Sequence, residues 1–196
     1  MTNGLPPLVL ASQNTKKIKE LQTILGTYCE VRSCRPHITW TENGSSFADN
    51  AKIKCAAVRA AETGMVLADD SGLVVEALGG APGLYSSRFS GPDATDQQNY
   101  LKLLYDLQGT PMESRQAYFI CSLALLNQKG VFHVFEGRLH GRIALEPAGS
   151  EGFGYDPVFI PEGFNKSLAQ FDTEEKNAIS HRAIALGKLK EFLTSK

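Results

Sequence analysis

Two adjacent carboxylates, Asp69 and Asp70, follow directly on the apolar run Met65-Val66-Leu67-Ala68. Ionised side chains at the end of a buried strand are costly unless a cation joins them. Magnesium answers that need, because it takes oxygen ligands and is often held by one or two carboxylates plus the phosphates of a substrate. The same pattern also suits a turn in which one Asp caps the next segment. Glu42, in a Thr-Glu-Asn-Gly stretch, is a second candidate for a metal. Three further polar clusters fall where strands end or helices begin: SQNTKK (12–17), GFGYDP (152–157) and KNAISHR (176–182). Such edges collect ligands in α/β sheets, and helix N-termini offer oriented donors to phosphate.

SQNTKK lacks the glycines and the Lys-Ser/Thr end of a P-loop. Lys17 near a helix start still offers a point charge to a polyphosphate, with Ser12, Asn14 and Thr15 as neutral partners, unless the segment is simply a solvated first turn. Asn50 and Lys54 are four apart and so share one helix face, from which Lys54 either approaches phosphate or snorkels to water. Phe153 lies between two glycines, a setting that exposes a ring for stacking on a nucleobase, with Asp156 nearby for an edge contact; the alternative is a hydrophobic plug beside a turn residue. His181 and Arg182, following Lys176, are donor-rich. A donor aimed at the purine 6-position accepts a 6-oxo base and penalises adenine, whose 6-amino group is itself a donor. Guanine passes the same filter.

The elements that must carry these residues follow from hydrophobic period. Leu8-Val9-Leu10-Ala11 reads as a buried strand feeding a helix with Ile18, Leu21, Ile24 and Leu25 at helical spacing. Ser46 to Asp49 has the form of a capping box, opening a helix with the stripe Phe47, Ala51, Cys55, Val58 and Ala61, closed by Gly64. Met65 to Ala68 is a strand that ends in the acidic cluster. Thr95 caps a third helix whose buried side is Tyr100, Leu101, Leu104 and Leu107. Residues 117–127 and 131–144 read as successive strands joined by Gln128-Lys129-Gly130, Val158 to Ile160 as a short strand, and Ser180 as the cap of a last helix. Interleaved strands and helices followed by a strand pair predict an α/β protein with a mixed sheet.

Composition narrows the classes. The 196 residues, 42% of them hydrophobic and 21% charged, suit a soluble globular chain rather than a disordered or fibrous one. A formal charge of -1 without like-charge blocks gives no footprint for nucleic acid or an anionic membrane surface. No apolar stretch reaches about 18 residues, and the opening MTNGLPPLVLAS lacks the build of a signal peptide, so the cytoplasm is the expected location. Cys29, Cys34, Cys55 and Cys121 have no zinc-site spacing and read as reduced thiols.

Taken together, the segments LASQNTKKIKEL, SFADNAKIKCAA, LADDSGLVVEALGGAPGLYSSRFSG, EGFGYDPVFIP and EEKNAISHRAIAL, in this order, resemble the inosine triphosphate pyrophosphatase (Ham1-like) family over nearly the whole chain. The resemblance implies an elongated mixed β-sheet flanked by helices, with residues 1–196 forming one domain of two lobes that share a sheet around a nucleotide cleft, assembled as a homodimer. It implies conversion of ITP, dITP and XTP to the monophosphate and pyrophosphate, with one or more Mg²⁺ ions per subunit. By that resemblance Ser12, Gln13, Asn14, Thr15, Lys16 and Lys17 bind phosphate, Glu42 and Asp70 bind metal, and Lys54 is the basic helix position. Asp70 is the proton acceptor by that resemblance, with Asp69 beside it as the alternative. Ser71, Phe153, Gly154, Tyr155, Asp156, Lys176, His181 and Arg182 are the remaining substrate contacts. The chain departs from the family pattern at Lys16, where glycine is common, at Asp49, where glutamate is, and at Gln170, where an acidic residue is frequent.

Three other readings compete. A haloacid-dehalogenase-like phosphatase needs acids two apart, and Ser71 occupies the second place. A Maf-type pyrophosphatase is not expected to carry GFGYDP followed by SHR. A non-catalytic nucleotide sensor has no need for the acidic pair.

Overall fold

The all-apolar segment Leu8–Leu10 forms the first strand, β1, with every residue buried, as a short run covered on both faces should be. A computed structural model gives the fold and describes residues 7–26 and 29–195, the side chains of Lys16, Glu20 and Ile24 apart. The expectations placed on Lys16, on Ile24 and on residues 1–6 lie outside the described residues.

Helix α1 (Thr15–Leu25) follows β1, then strand β2 (Val31–Ser33), helix α2 (Phe47–Ala61) and the long strand β3 (Met65–Val75). Strand β1 lies parallel to both β2 and β3, with Val9 opposite Arg32 on one side and Val66 on the other; α1 and α2 supply the crossovers that parallel pairing requires. Helix α3 (Asp96–Asp106) precedes β4 (Gln116–Leu126) and β5 (Phe132–Ile143), and β6 (Phe159–Pro161) pairs antiparallel with the end of β5. Helices α4 (Thr173–Ile179) and α5 (His181–Thr194) complete the described chain. The sheet order is β2-β1-β3-β4-β5-β6, so the α/β class and the mixed sheet are as the sequence implied. Among the described residues no helix is long and apolar enough to cross a membrane.

Two compact units divide the chain. One comprises the residues up to Asp70, Ser122–Glu136 and those from Lys188 on; the other comprises Ser71–Cys121 and Gly137–Gly187. The first has a core of Val9, Ala11, Cys55, Val58, Val66 and Ala124, among others, with Trp40 packed against it. The second is built around Leu73, Leu103, Leu107, Phe119, Phe159 and Phe171.

Three sequence expectations need correction. Strand β3 does not end at the acidic pair but runs through it to Val75, because buried partners replace the water those carboxylates would lose. Leu101 is 47% exposed, and the inward stripe of α3 is Asn99, Leu103 and Leu107; the Asn99 amide satisfies itself by accepting from the Ser90 N–H and donating to the Ser87 carbonyl. The KNAISHR segment belongs to two helices, since Asp172 caps α4 through the Glu175 N–H while Ser180 caps α5 through the Ala183 N–H.

Candidate active site

In the first unit the chemistry gathers around one ammonium group. Lys54 follows Asn50 by four residues on α2, and both are buried although polar. The Lys54 Nζ lies 2.8 Å from Glu42 Oε1, 2.8 Å from Asp70 Oδ1 and 3.0 Å from the Asp69 carbonyl oxygen. Asn50 Nδ2 donates to the other Asp70 oxygen at 3.2 Å. Beside this group, Lys17 from the first turn of α1 pairs with Asp69 Oδ2 at 2.7 Å. Three acids and two lysines, drawn from separate places in the sequence, thus meet in one unit.

Electrostatics follow from this crowding. Burial pushes the Asp70 carboxyl up; the Lys54 charge and hydrogen bond offset that only in part, and Glu42 adds to it, so it stays above the ordinary aspartate value. Burial also raises Glu42, but there the hydrogen bond and charge of Lys54 win and the carboxyl is held below its usual value. Burial lowers Lys54, and the charges of Asp70 and Asp69 more than reverse it. The lysine is therefore firmly protonated.

Among the described residues no group of three or more His, Cys, Asp or Glu side chains converges as a metal site. Magnesium does not need one. The Lys54 ammonium marks a point where carboxylate oxygens of Glu42 and Asp70 already meet a cation, and two hard oxygen donors of this kind fit an ion that completes its shell with water and phosphate.

The turn before α1 behaves as a cap. Asn14 Oδ1 accepts from the Lys17 N–H at 3.2 Å, and Ser12 Oγ accepts from the Asn14 N–H at 3.3 Å. Gln13 Nε2 donates to the Ile38 carbonyl at 3.1 Å, so this side chain helps anchor the turn. Thr15 is the exposed first residue of α1.

In the second unit, a basic and aromatic cluster forms around Asp156. This carboxylate is buried; its Oδ2 accepts from the Phe153 N–H at 2.8 Å and pairs with the Lys176 ammonium. Lys176 also sits 4.8 Å from the Phe153 ring centroid, over its face. Tyr155 is buried, its hydroxyl donating to the Ser86 carbonyl at 2.8 Å, and the Gly154 N–H donates to Asp96 at 2.9 Å. Arg182 is 2% exposed and reaches Ser71 Oγ at 3.4 Å. His181 stacks on Phe119 at 5.0 Å with an interplanar angle of 13°. Phe153 is half-buried, whereas Tyr155 and Asp156 point their side chains into the protein and hold the loop.

Sequence reasoning gave no role to Asn50, Gly44, Asp96 or Ser86. A buried Asn four residues before a Lys on an apolar stripe was the available signal for the first. Asp96 lies 58 residues from the backbone it binds, and nothing local announces that contact.

These features define an α/β protein with an acid and lysine cluster on an interior strand of a mixed sheet. The chain belongs to the Ham1 family, which it matches over residues 8–192. A dITP/XTP pyrophosphatase of Geobacter sulfurreducens is 44% identical over 191 residues, which cover 95% of this chain and 96% of that protein. A dITP/XTP pyrophosphatase of Bacillus subtilis is 42% identical over 189 residues, covering 94% and 96%. The solved structure of a HAM1 protein from Coxiella burnetii superposes with a TM-score of 0.90 at 39% identity, covering 97% of this chain and 99% of that one.

Proposed function

We propose that this chain is a cytoplasmic, magnesium-dependent pyrophosphohydrolase, working as a homodimer, that converts ITP, dITP and XTP to the monophosphate and pyrophosphate and so removes deaminated purines from the nucleotide pool. The observation that carries the reading is the meeting of Glu42 and Asp70 at the Lys54 ammonium, in a chain 41–44% identical to several full-length dITP/XTP pyrophosphatases.

Glu42 and Asp70 would hold the metal, which when bound supplies charge neutralisation to the triphosphate and polarises its phosphoryl oxygens. Asp70 accepts a proton from water as the water oxygen bonds to the α-phosphorus. The bond from that phosphorus to the bridging oxygen breaks, and pyrophosphate leaves with the bonding pair. Asp69 is the alternative acceptor; its carboxylate is engaged by Lys17 as that of Asp70 is by Lys54. Lys17 and Lys54 offset charge on the leaving group, since phosphoryl-type transfer is catalysed mainly by positioning and electrostatics. Ser12, Asn14 and Thr15 offer the phosphates neutral hydrogen bonds.

Base recognition falls to the second cluster. Phe153 offers a stacking face, with Lys176, His181 and Arg182 as donors toward a 6-oxo group and Asp156 fixing the loop that presents them. Adenine would leave these donors unpaired.

Incubation of the purified protein with ITP, XTP, GTP and ATP plus Mg²⁺ tests the reading. Pyrophosphate from ITP and XTP, with little from ATP, is expected. Release of single phosphate would indicate a phosphatase instead, and tight binding without turnover a sensor.

A further inference from the structure

We propose that Asn50 is a positioning residue: its buried amide ties the segment bearing Glu42 to Asp70 and thereby fixes the spacing at which these two carboxylates take a divalent cation. The proposal rests on the reading given above. It concerns a residue that contacts neither the Lys54 ammonium nor, on that reading, the substrate.

Asn50 is 1% exposed, on a buried helix face whose other residues are Lys54 and the apolar Ala51, Cys55 and Val58. A polar group buried this deeply persists only with partners at both ends. Asn50 Oδ1 accepts from the Gly44 N–H at 2.8 Å, and Nδ2 donates to Asp70 Oδ2 at 3.2 Å. The orientation of the amide has one solution, because a backbone N–H must face an acceptor and a carboxylate must face a donor. Gly44 stands two residues after Glu42, so one planar group links the segment carrying one carboxylate to the other carboxylate itself.

Gly44 shows how closely the two parts meet. A Cβ on Gly44 would lie 2.7 Å from Asp49 Cβ and 2.8 Å from Asn50 Oδ1, nearer than packed atoms allow. Any side chain here would lift the Glu42 segment from the start of α2 and break the amide contact. Glu42 itself is only partly covered; its carboxylate is held by the Lys54 ammonium and by a Trp40 hydrogen bond, while the Gly44 contact holds the backbone that carries it. Asp70, by contrast, is fixed by its strand. The clasp therefore acts mainly on where Glu42 stands relative to Asp70.

Groups that orient metal ligands without touching the ion typically alter affinity about ten- to a hundredfold when removed. Asn50→Ala, Asn50→Asp and Gly44→Ala are the variants of choice, with Mn²⁺ as the probe. Binding of Mn²⁺ is read directly from water-proton relaxation, in the presence and absence of inosine monophosphate, and kcat and KM for ITP are measured at several Mg²⁺ concentrations. Asn50→Ala should weaken Mn²⁺ binding about tenfold or more and lower kcat at low Mg²⁺, with partial recovery at high Mg²⁺. Asn50→Asp keeps the shape and the Gly44 contact but sets a carboxylate against Asp70, so its kcat should fall further than that of Asn50→Ala at the same Mn²⁺ occupancy. Gly44→Ala should resemble Asn50→Ala, and the double variant should be little worse than either, because both break one link.

A merely structural role would lower thermal stability and leave the Mn²⁺ affinity of the folded fraction unchanged; that result, or additive losses in the double variant, overturns the proposal. Should the unsubstituted chain fail to bind Mn²⁺ or to release pyrophosphate from ITP, the functional reading beneath the proposal fails first. The two failures are thus distinguishable.

Discussion

At the scale of single residues, Lys54 faces three oxygens, and Asp70 receives both Lys54 and Asn50. Replacing Asp70 by Asn preserves shape but removes the proton acceptor and a metal ligand. On the proposed mechanism kcat for ITP should fall by at least about a hundred- to ten-thousandfold, the usual worth of a positioned base; near-native turnover in a folded Asp70→Asn protein would remove Asp70 from its role. Asp156 offers a test that does not depend on turnover. Burial raises its carboxyl above the ordinary aspartate value, and the Lys176 charge and hydrogen bond offset this only in part. Its folded value thus exceeds its unfolded one, so the folded chain holds a proton that the unfolded chain has released. Its contribution to stability therefore declines as pH rises from about 4 through the raised value and is level above it. Lys176→Met removes the offset and extends that decline. Relative to the unsubstituted protein the variant should lose about 3 kcal/mol at neutral pH and much less near pH 4, as read from urea midpoints; an equal loss at both would show that the pair does not govern the loop. The residues of both clusters were legible as types: acids after an apolar strand, Lys on a helix flank, an aromatic among glycines. What each side chain touches was not, because Asn50 to Asp70 and Tyr155 to Ser86 are contacts between residues 20 and 69 positions apart.

At the scale of elements, apolar period gave the opening strand and helix, the later strand pair and three of the helix caps. It failed where polar residues are buried. Strand β3 passes through Asp69 and Asp70 because Lys17, Lys54 and Asn50 reach them, and a pattern reader stops a strand at two acids. The stripe of α3 departs from the apolar period at Leu101 for the same reason, with the polar Asn99 turned inward in its place. One element contact bears on the proposed base recognition. Helix α5 crosses β5 at Gly137, where a Cβ would stand 2.1 Å from the His181 carbonyl oxygen and 2.5 Å from the Ala185 nitrogen. Both atoms are backbone, so neither gives way by a rotamer change. Gly137→Ala must displace the first turn of α5, which carries His181 and Arg182. Overpacking of this kind costs about 1–3 kcal/mol. If those two residues read the base, the preference for ITP over ATP in kcat/KM should shrink about tenfold or more in the folded variant. Lost stability with an unchanged ratio would show that the turn does not select the base.

At the scale of the whole molecule, the question is whether two units with separate cores unfold together. Strands β3, β4 and β5 each contribute residues to both units and belong to one hydrogen-bonded sheet. A ladder that loses its pairing at one end exposes backbone groups along the same strands, and that penalty favours a single cooperative transition. The sequence supplies its own probe. Trp40 is the sole tryptophan and packs against the core of the first unit, whereas Leu103 is fully buried in the core of the second. Leu103→Ala should cost about 3 kcal/mol through lost burial and the remaining cavity, which for a chain of this size lowers the midpoint by roughly 6–12 °C. With shared strands coupling the cores, Trp40 fluorescence should shift by the same amount as far-UV circular dichroism, although the substitution lies in the other unit. Were Trp40 to keep its original midpoint while the dichroism became biphasic, the units would be independent, and binding by the acid and lysine cluster would not be expected to stabilise the loop that carries Phe153.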